Sequence, residues 1–172
     1  AWRAVAGDLR KLRFEHRANP LEAAREGRSG LFALPGGWLA AVDSGGIIIT
    51  KEPPGTGVEY RVPLRVPGRT HIPATGVVVE AEIIPRSETE AWRNALPGEG
   101  YLDFDRMGRP FEVRSPRPGD RMRLMGLGGT KKLQDIFTDL KVPRWKRPLM
   151  PVVTSGGEIA WAAPSSVSEL FK

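Results

Sequence analysis

The apolar positions change their period along the chain. Between Trp2 and Arg13, Val5, Leu9 and Leu12 recur at spacings of four and three, one stripe of a helix with no proline to interrupt it. Asn19-Pro20 is a breaker, and Leu21 to Glu26 predicts a second short helix with Pro20 near its first turn and Gly27 and Gly30 ending it. From Leu31 the period shortens. Phe32 and Leu34, the turn Leu34-Pro35-Gly36-Gly37, Trp38 to Val42, the turn Asp43-Ser44-Gly45-Gly46 and the run Ile47 to Thr50 predict strands joined by tight turns. Val58, Tyr60 and Val62 alternate with Glu59 and Arg61. Val77, Val79, Ala81 and Ile83 alternate with polar Glu80 and Glu82.

The second half carries its own signals. Ser87 to Leu96 predicts one helical turn, and Tyr101 to Phe104 and Phe111 to Arg114 predict strands. Arg121 to Met125 alternates basic and apolar residues. Leu133, Ile136, Phe137 and Leu140 fall at i, i+3, i+4 and i+7, the clearest helix of this half, with Thr130 as its cap and Val142-Pro143 as its stop. Val152-Val153 and Ile159 to Trp161 predict closing strands around Ser155-Gly156-Gly157. The expected class is α+β. It divides into a helical segment over 1–30, an antiparallel β region over 31–97, and a small barrel-like α+β domain over 98–172, with Pro97-Gly98-Glu99-Gly100 as the boundary.

Composition narrows the function. At 172 residues and 40% apolar content the chain can bury a core. No apolar run approaches the ~18 residues of a membrane helix, and no signal peptide is visible, so no membrane partner is expected. The first residue is Ala1, which leads to the expectation of a chain cut from a longer protein. Cysteine is absent, which excludes disulfides and thiolate zinc sites and suits a cytoplasmic location. With only His16 and His71, both expected in core or surface roles, no metal centre is expected. The net charge is +6 and the pI about 10.1, which suits a polyanionic partner. The charge is concentrated: between Arg106 and Arg147 stand twelve basic residues and four acids, net +8, and the rest of the chain carries −2.

Chemistry is expected in that segment. Arg114-Ser115-Pro116-Arg117-Pro118-Gly119-Asp120-Arg121 leads into Gly128-Gly129-Thr130-Lys131-Lys132-Leu133. A glycine turn followed by a helix starting at Thr130 would present backbone N–H groups to a phosphate. Lys131 and Lys132 in a first helical turn would each cost about 0.3–1 kcal/mol, which a bound phosphate would offset. The stretch is not a nucleotide loop, because Thr130 precedes Lys131 where such loops place Lys before Ser or Thr. Trp145, between Arg144 and Lys146-Arg147, either stacks on a base or packs beneath the domain. The candidate RNA-binding residues are Arg114, Arg117, Arg121, Arg123, Thr130, Lys131, Lys132, Arg144, Lys146 and Arg147. Asp103 and Asp105, two apart on an expected strand, suit a solvated pair better than a metal site. No nucleophile–base pair stands out, so no catalytic residue is expected. The alternative function is a protein-interaction or oligomerisation module with a basic face.

These motifs resemble a known family. Val113-Arg114-Ser115-x-Arg117-Pro118-Gly119-Asp120-Arg121, Gly128-Gly129-Thr130-Lys131-Lys132-Leu133-Gln134-Asp135-x-Phe137 and Lys141-Val142-Pro143-Arg144-x-x-Arg147 resemble the C-terminal domain of tRNA(Ile)-lysidine synthetase. Ile159-Ala160-Trp161 and Ser168-Glu169-x-Phe171-Lys172 are similar to its tail. Leu12-Arg13-Phe14-Glu15-His16 and Leu34-Pro35-Gly36-Gly37 are similar to its middle domain. The resemblance implies a carbon–nitrogen ligase that uses ATP and Mg to join lysine to the wobble cytidine of an isoleucine tRNA with a CAU anticodon. It places that chemistry in an N-terminal domain with a Ser-Gly-Gly-x-Asp-Ser loop. Neither Ser44-Gly45-Gly46 nor Ser155-Gly156-Gly157 continues in that way, so catalysis and its cofactors are expected outside this sequence. The implied partners are tRNA and the chain's own catalytic domain, with a homodimer left open. The resemblance assigns a grip on the tRNA body near the acceptor stem to Arg117, Arg121, Thr130, Lys131, Lys132, Arg144 and Arg147. Pro148 and Ala163-Pro164-Ser165-Ser166 depart from the family pattern.

Overall fold

The structure is a computed structural model that describes residues 13–43, 46–85, 95–124, 126 and 128–172. The helix expected over Trp2–Arg13 and most of the turn expected over Ser87–Leu96 lie outside the described residues. The class is α+β, with two α-helices among the described residues and antiparallel strands in small sheets. The chain forms two compact units. One comprises residues 1–56 with Pro143–Lys146; the other comprises Gly57–Val142 with Arg147–Lys172.

The first unit packs helix α1 (Phe14–Arg25) on a sheet of β1 (Gly30–Leu34), β2 (Trp38–Asp43) and β3 (Gly46–Thr50), with β2 central. Ala40, Ala41 and Val42 are buried on β2, and Ala23 on α1. The expected break at Asn19-Pro20 does not occur: Pro20 sits inside α1 and is buried. A mid-helix proline costs about 3 kcal/mol, and here burial of the ring outweighs local propensity. The stop is as expected. Gly27 takes a positive φ of 66°, and the Gly27 and Arg28 N–H groups donate to the Ala24 and Ala23 carbonyls. This is a Schellman closure, which a Cβ would strain.

The second unit is built on one antiparallel sheet. Its order is β12 (Ser166–Val167), β11 (Glu158–Ala162), β10 (Val152–Ser155), β7 (Phe111–Arg114) and β4 (Arg61–Pro63). Pro63 is tolerated because β4 is an edge strand. Both faces are covered, so every residue of β10 is buried. On one face Val152, Ile159 and Ala162 meet Met122 and Leu133, Ile136 and Phe137 of helix α2 (Leu133–Asp139). On the other, Val113, Val153 and Trp161 meet Ile72 and Phe171. Ile159 and Trp161 face opposite ways because Val153 pairs with Trp161 while Thr154 pairs with Ile159, leaving Ala160 as the extra residue of a bulge. Two hairpins complete the unit: β5 (Gly68–Ile72) with β6 (Val77–Ala81), and β8 (Arg121–Arg123) with β9 (Thr130–Lys132).

The structural division differs from the one read in sequence. The units part between Thr56 and Gly57, and β4 pairs with β7 across the Pro97–Gly100 run. That run is a strap. The Gly98 N–H donates to Pro164 O at 2.6 Å, and Trp161 Nε1–H donates to Glu99 O at 3.3 Å. A Cβ on Gly100 would lie 2.3 Å from the Trp161 ring, so glycine there serves close packing. The strand expected over Tyr101–Phe104 is also replaced. Asp103 Oδ1 caps a 3-10 turn by accepting from the Asp105 N–H, and Asp103 pairs with Arg106 rather than presenting two carboxylates on one face.

Candidate nucleic-acid interface

The hairpin β8–β9 is positioned from below by one carboxylate. Asp120 accepts from both terminal guanidinium nitrogens of Arg114, at 2.8 and 2.9 Å, and from the Arg117 N–H at 2.8 Å. Its carbonyl accepts the Leu133 N–H at 2.9 Å. Gly119 supplies the positive φ that turns the chain back. Arg114 is only 7% exposed and also donates to Ser115 O. Of the expected RNA-binding residues it is the one that is buried and bound within the fold on both sides. Breaking such a pair by removing one partner costs about 3–5 kcal/mol.

Above this anchor, strand alternation sorts the side chains. Arg121 pairs in register with Lys132, Met122 with Lys131, and Arg123 with Thr130. Met122 is 2% exposed and faces α2. Arg121, Arg123, Thr130 and Lys132 therefore share the opposite, exposed face. Arg121 is held across the strands by Thr130, donating from Nε to Oγ1 at 3.2 Å and from a terminal nitrogen to the carbonyl at 3.3 Å. Arg123 and Lys132 have no side-chain partner among the described residues, and neither does Arg117 in the preceding turn. Like charges directly opposite on a hairpin are destabilising.

The expected helix N-terminus is not there. Thr130, Lys131 and Lys132 are strand, not cap and first turn, because they pair with Arg121–Arg123. Helix α2 begins at Leu133, has only seven residues, and its first N–H is taken by Asp120. Other cations of the segment are engaged. Lys131 pairs with Asp139, and Lys146 with Asp43 at 2.8 Å. Arg147 donates to Val142 O, Gln134 O and Oε1, and Thr138 Oγ1, clamping the end of α2. Arg144 is exposed, and belongs with Lys146 to the first unit. Trp145 is buried, which decides its open reading in favour of packing.

An open cleft of about 310 Å³ runs beside the cationic face, lined by Arg121, Arg123 and Thr130 and by Glu158, Ile159, Ser168 and Leu170. These last four are not among the residues expected from sequence, since they lie some forty positions downstream, and the tail motifs that contain Ile159 and Ser168 carry no basic pattern. A second cleft, of about 220 Å³ between α1 and β1, has Glu15 and His16 in its wall but no Lys or Arg. The His16 Nδ1 there accepts the Arg13 N–H at 3.0 Å as part of the helix cap. Among the described residues no group of three His, Cys, Asp or Glu side chains could hold a metal ion, and no helix is long and apolar enough to cross a membrane.

Fold and charge together define an α+β module that presents Arg121, Arg123 and Lys132 on one hairpin face with no carboxylate paired to them. Residues 111–172 match the model of the TilS substrate C-terminal domain. A crystal structure of a TilS C-terminal domain is 32% identical, with a TM-score of 0.54, over 67% of this chain and 86% of that one. The chain belongs to this family of TilS C-terminal domains. Curated relatives are the tRNA(Ile)-lysidine synthases of Symbiobacterium thermophilum, 48% identical over 58% of this chain, Solibacter usitatus, 34% over 90%, and Caldanaerobacter subterraneus subsp. tengcongensis, 30% over 98%. The chain aligns with 20%, 35% and 36% of the lengths of those three proteins, about a third at most.

Proposed function

We propose that this chain is the substrate-gripping part of a tRNA(Ile)-lysidine synthase and holds the body of an isoleucine tRNA through backbone phosphates of a duplex stem. The observation that carries the reading is the exposed face of β8–β9, where Arg121, Arg123 and Lys132 stand together with no carboxylate paired to them. Their mutual repulsion costs stability, which a polyanion offsets. Arg117, exposed in the turn before β8, adds a fourth cation, and Thr130 aligns Arg121. Arg114, Lys131, Lys146 and Arg147 support the fold. A duplex stem is read mainly through its backbone and minor-groove shape, which suits arginine forks on a rigid hairpin. Ligation of lysine to the wobble cytidine, with ATP and Mg, belongs in this reading to a catalytic domain of the same cytoplasmic enzyme.

Binding of isoleucine tRNA, measured by fluorescence anisotropy across a salt series, tests the proposal. Four phosphates neutralised by Arg117, Arg121, Arg123 and Lys132 give a log–log slope of about −3 to −4. Replacing Arg121, Arg123 and Lys132 together by Ala brings the slope to about −1 without lowering the melting temperature. A wild-type slope near zero, or capture of acidic proteins with no tRNA binding, overturns it.

A further inference from the structure

We infer that the cleft beside β8–β9 takes one unpaired nucleotide of the bound RNA, with a base that carries an exocyclic amino group. This rests on the RNA-gripping reading above and adds a base-reading site to it. A duplex backbone needs only cations, yet the wall facing Arg121 and Arg123 contains Glu158. Glu158 is exposed, and among the described residues its carboxylate has neither an ion pair nor a hydrogen bond. It does not neutralise the arginines, and against phosphate it is repulsive. An acceptor-only group held free among cations is suited to N–H donors, such as the exocyclic amino group of a base.

The remaining walls fit the same ligand. Leu170 is 39% exposed and offers an apolar surface against which a base ring can lie, while a guanidinium from the hairpin offers a stacking plane. Thr130 is exposed and its Oγ1 accepts from Arg121, so its hydroxyl keeps its own proton to donate, while Ser168 is buried and closes the wall. Adenine and cytosine place an amino donor beside a ring-nitrogen acceptor, and guanine places its amino and N1–H donors in line with a carbonyl acceptor; each matches a carboxylate beside a hydroxyl donor. Uracil has no amino group, and its single N3–H lies between two carbonyl oxygens that a carboxylate repels. The volume, about 310 Å³, is at the small end of ligand sites, roughly 300–1,000 Å³. It suits one nucleotide rather than a run of stacked bases.

The test compares short RNA duplexes that are blunt or carry a single 3′ A, C or U, bound to the 172-residue chain at fixed salt. An A or C overhang is expected to tighten binding about fivefold or more over the blunt duplex, within the range of base stacking on a protein surface, and U to give a smaller gain. In Glu158→Ala the A-to-U ratio falls to near one. Equal binding of blunt and A-overhang duplexes by the wild type, or an A-to-U preference kept in Glu158→Ala, overturns the inference while the phosphate grip stands. Failure of every RNA to bind overturns the grip and this inference with it.

Discussion

Hairpins β5–β6 and β8–β9 belong to the same unit, are both antiparallel and two-stranded, and each sends one row of side chains inward and one outward. Inward, Thr70 and Ile72 on the first and Met122 on the second are buried, against opposite faces of the same five-stranded sheet. Outward they differ. On β5–β6, Arg69 stands opposite Glu80 and donates to it at 2.8 Å, which raises the Arg69 pKa further. On β8–β9, Arg121 stands opposite Lys132. The first outer face is neutralised within the chain. The second carries no such pair, and that contrast marks the proposed interface more sharply than the net charge of the segment.

The largest way to break the contrast is to remove its anchor. Asp120→Ala leaves Arg114 buried and unpaired and releases the 115–120 turn, so the second unit loses about 3–5 kcal/mol in a denaturant titration. The corresponding Glu80→Ala changes stability by less than about 1 kcal/mol, since Arg69 is exposed.

Alkali then separates the sheet from both hairpins. Burial pushes the Tyr60 hydroxyl up to about 12 from 10.0, and that hydroxyl donates to Leu149 O at 3.4 Å. A raised folded pKa stabilises fully below pH 10 and is lost as pH rises from 10 through 12, because the unfolded chain ionises first. Thermal melts of the wild type should show this alkaline limb, and Tyr60→Phe should flatten it while leaving tRNA binding at neutral pH intact.

The smallest effects come from exchanging the charge patterns. Lys132→Glu gives β8–β9 the complementary pair of β5–β6, and is expected to add about 0.2–1 kcal/mol of stability while weakening tRNA binding. Glu80→Lys gives β5–β6 a like-charged pair and should cost a similar amount. A gain in tRNA affinity from Glu80→Lys equal to the loss from Lys132→Glu would show that net charge, not the placement of the face, governs binding.

Much of the fold was legible because period and turn chemistry are local. The strands around Trp38–Val42, Phe111–Arg114 and Val152–Trp161, the α2 stripe from Leu133, and the Gly27 stop all follow from patterns a few residues long. The site was legible only as a segment. Arg114 and Arg121 are both arginines in one basic run, and nothing local tells that Asp120 draws one inward while strand pairing turns the other outward. Thr130-Lys131-Lys132 has the composition of a capped helix start, and it becomes strand because Arg121–Arg123 lies alongside. Likewise Asn19-Pro20 is a break by propensity and a continuous helix by burial.

The sequence by itself determined the α+β class, the family resemblance, the position of the positive charge and the absence of cysteine chemistry, because each depends on composition or on neighbours along the chain. Only the tertiary structure decided which cations are committed to the fold and which are free. It alone brought Glu158, Ser168 and Leu170 to the side of Arg121 and Arg123. A charge is buried, paired or left open by groups distant in sequence, and a cleft exists only after strands from separate stretches have packed.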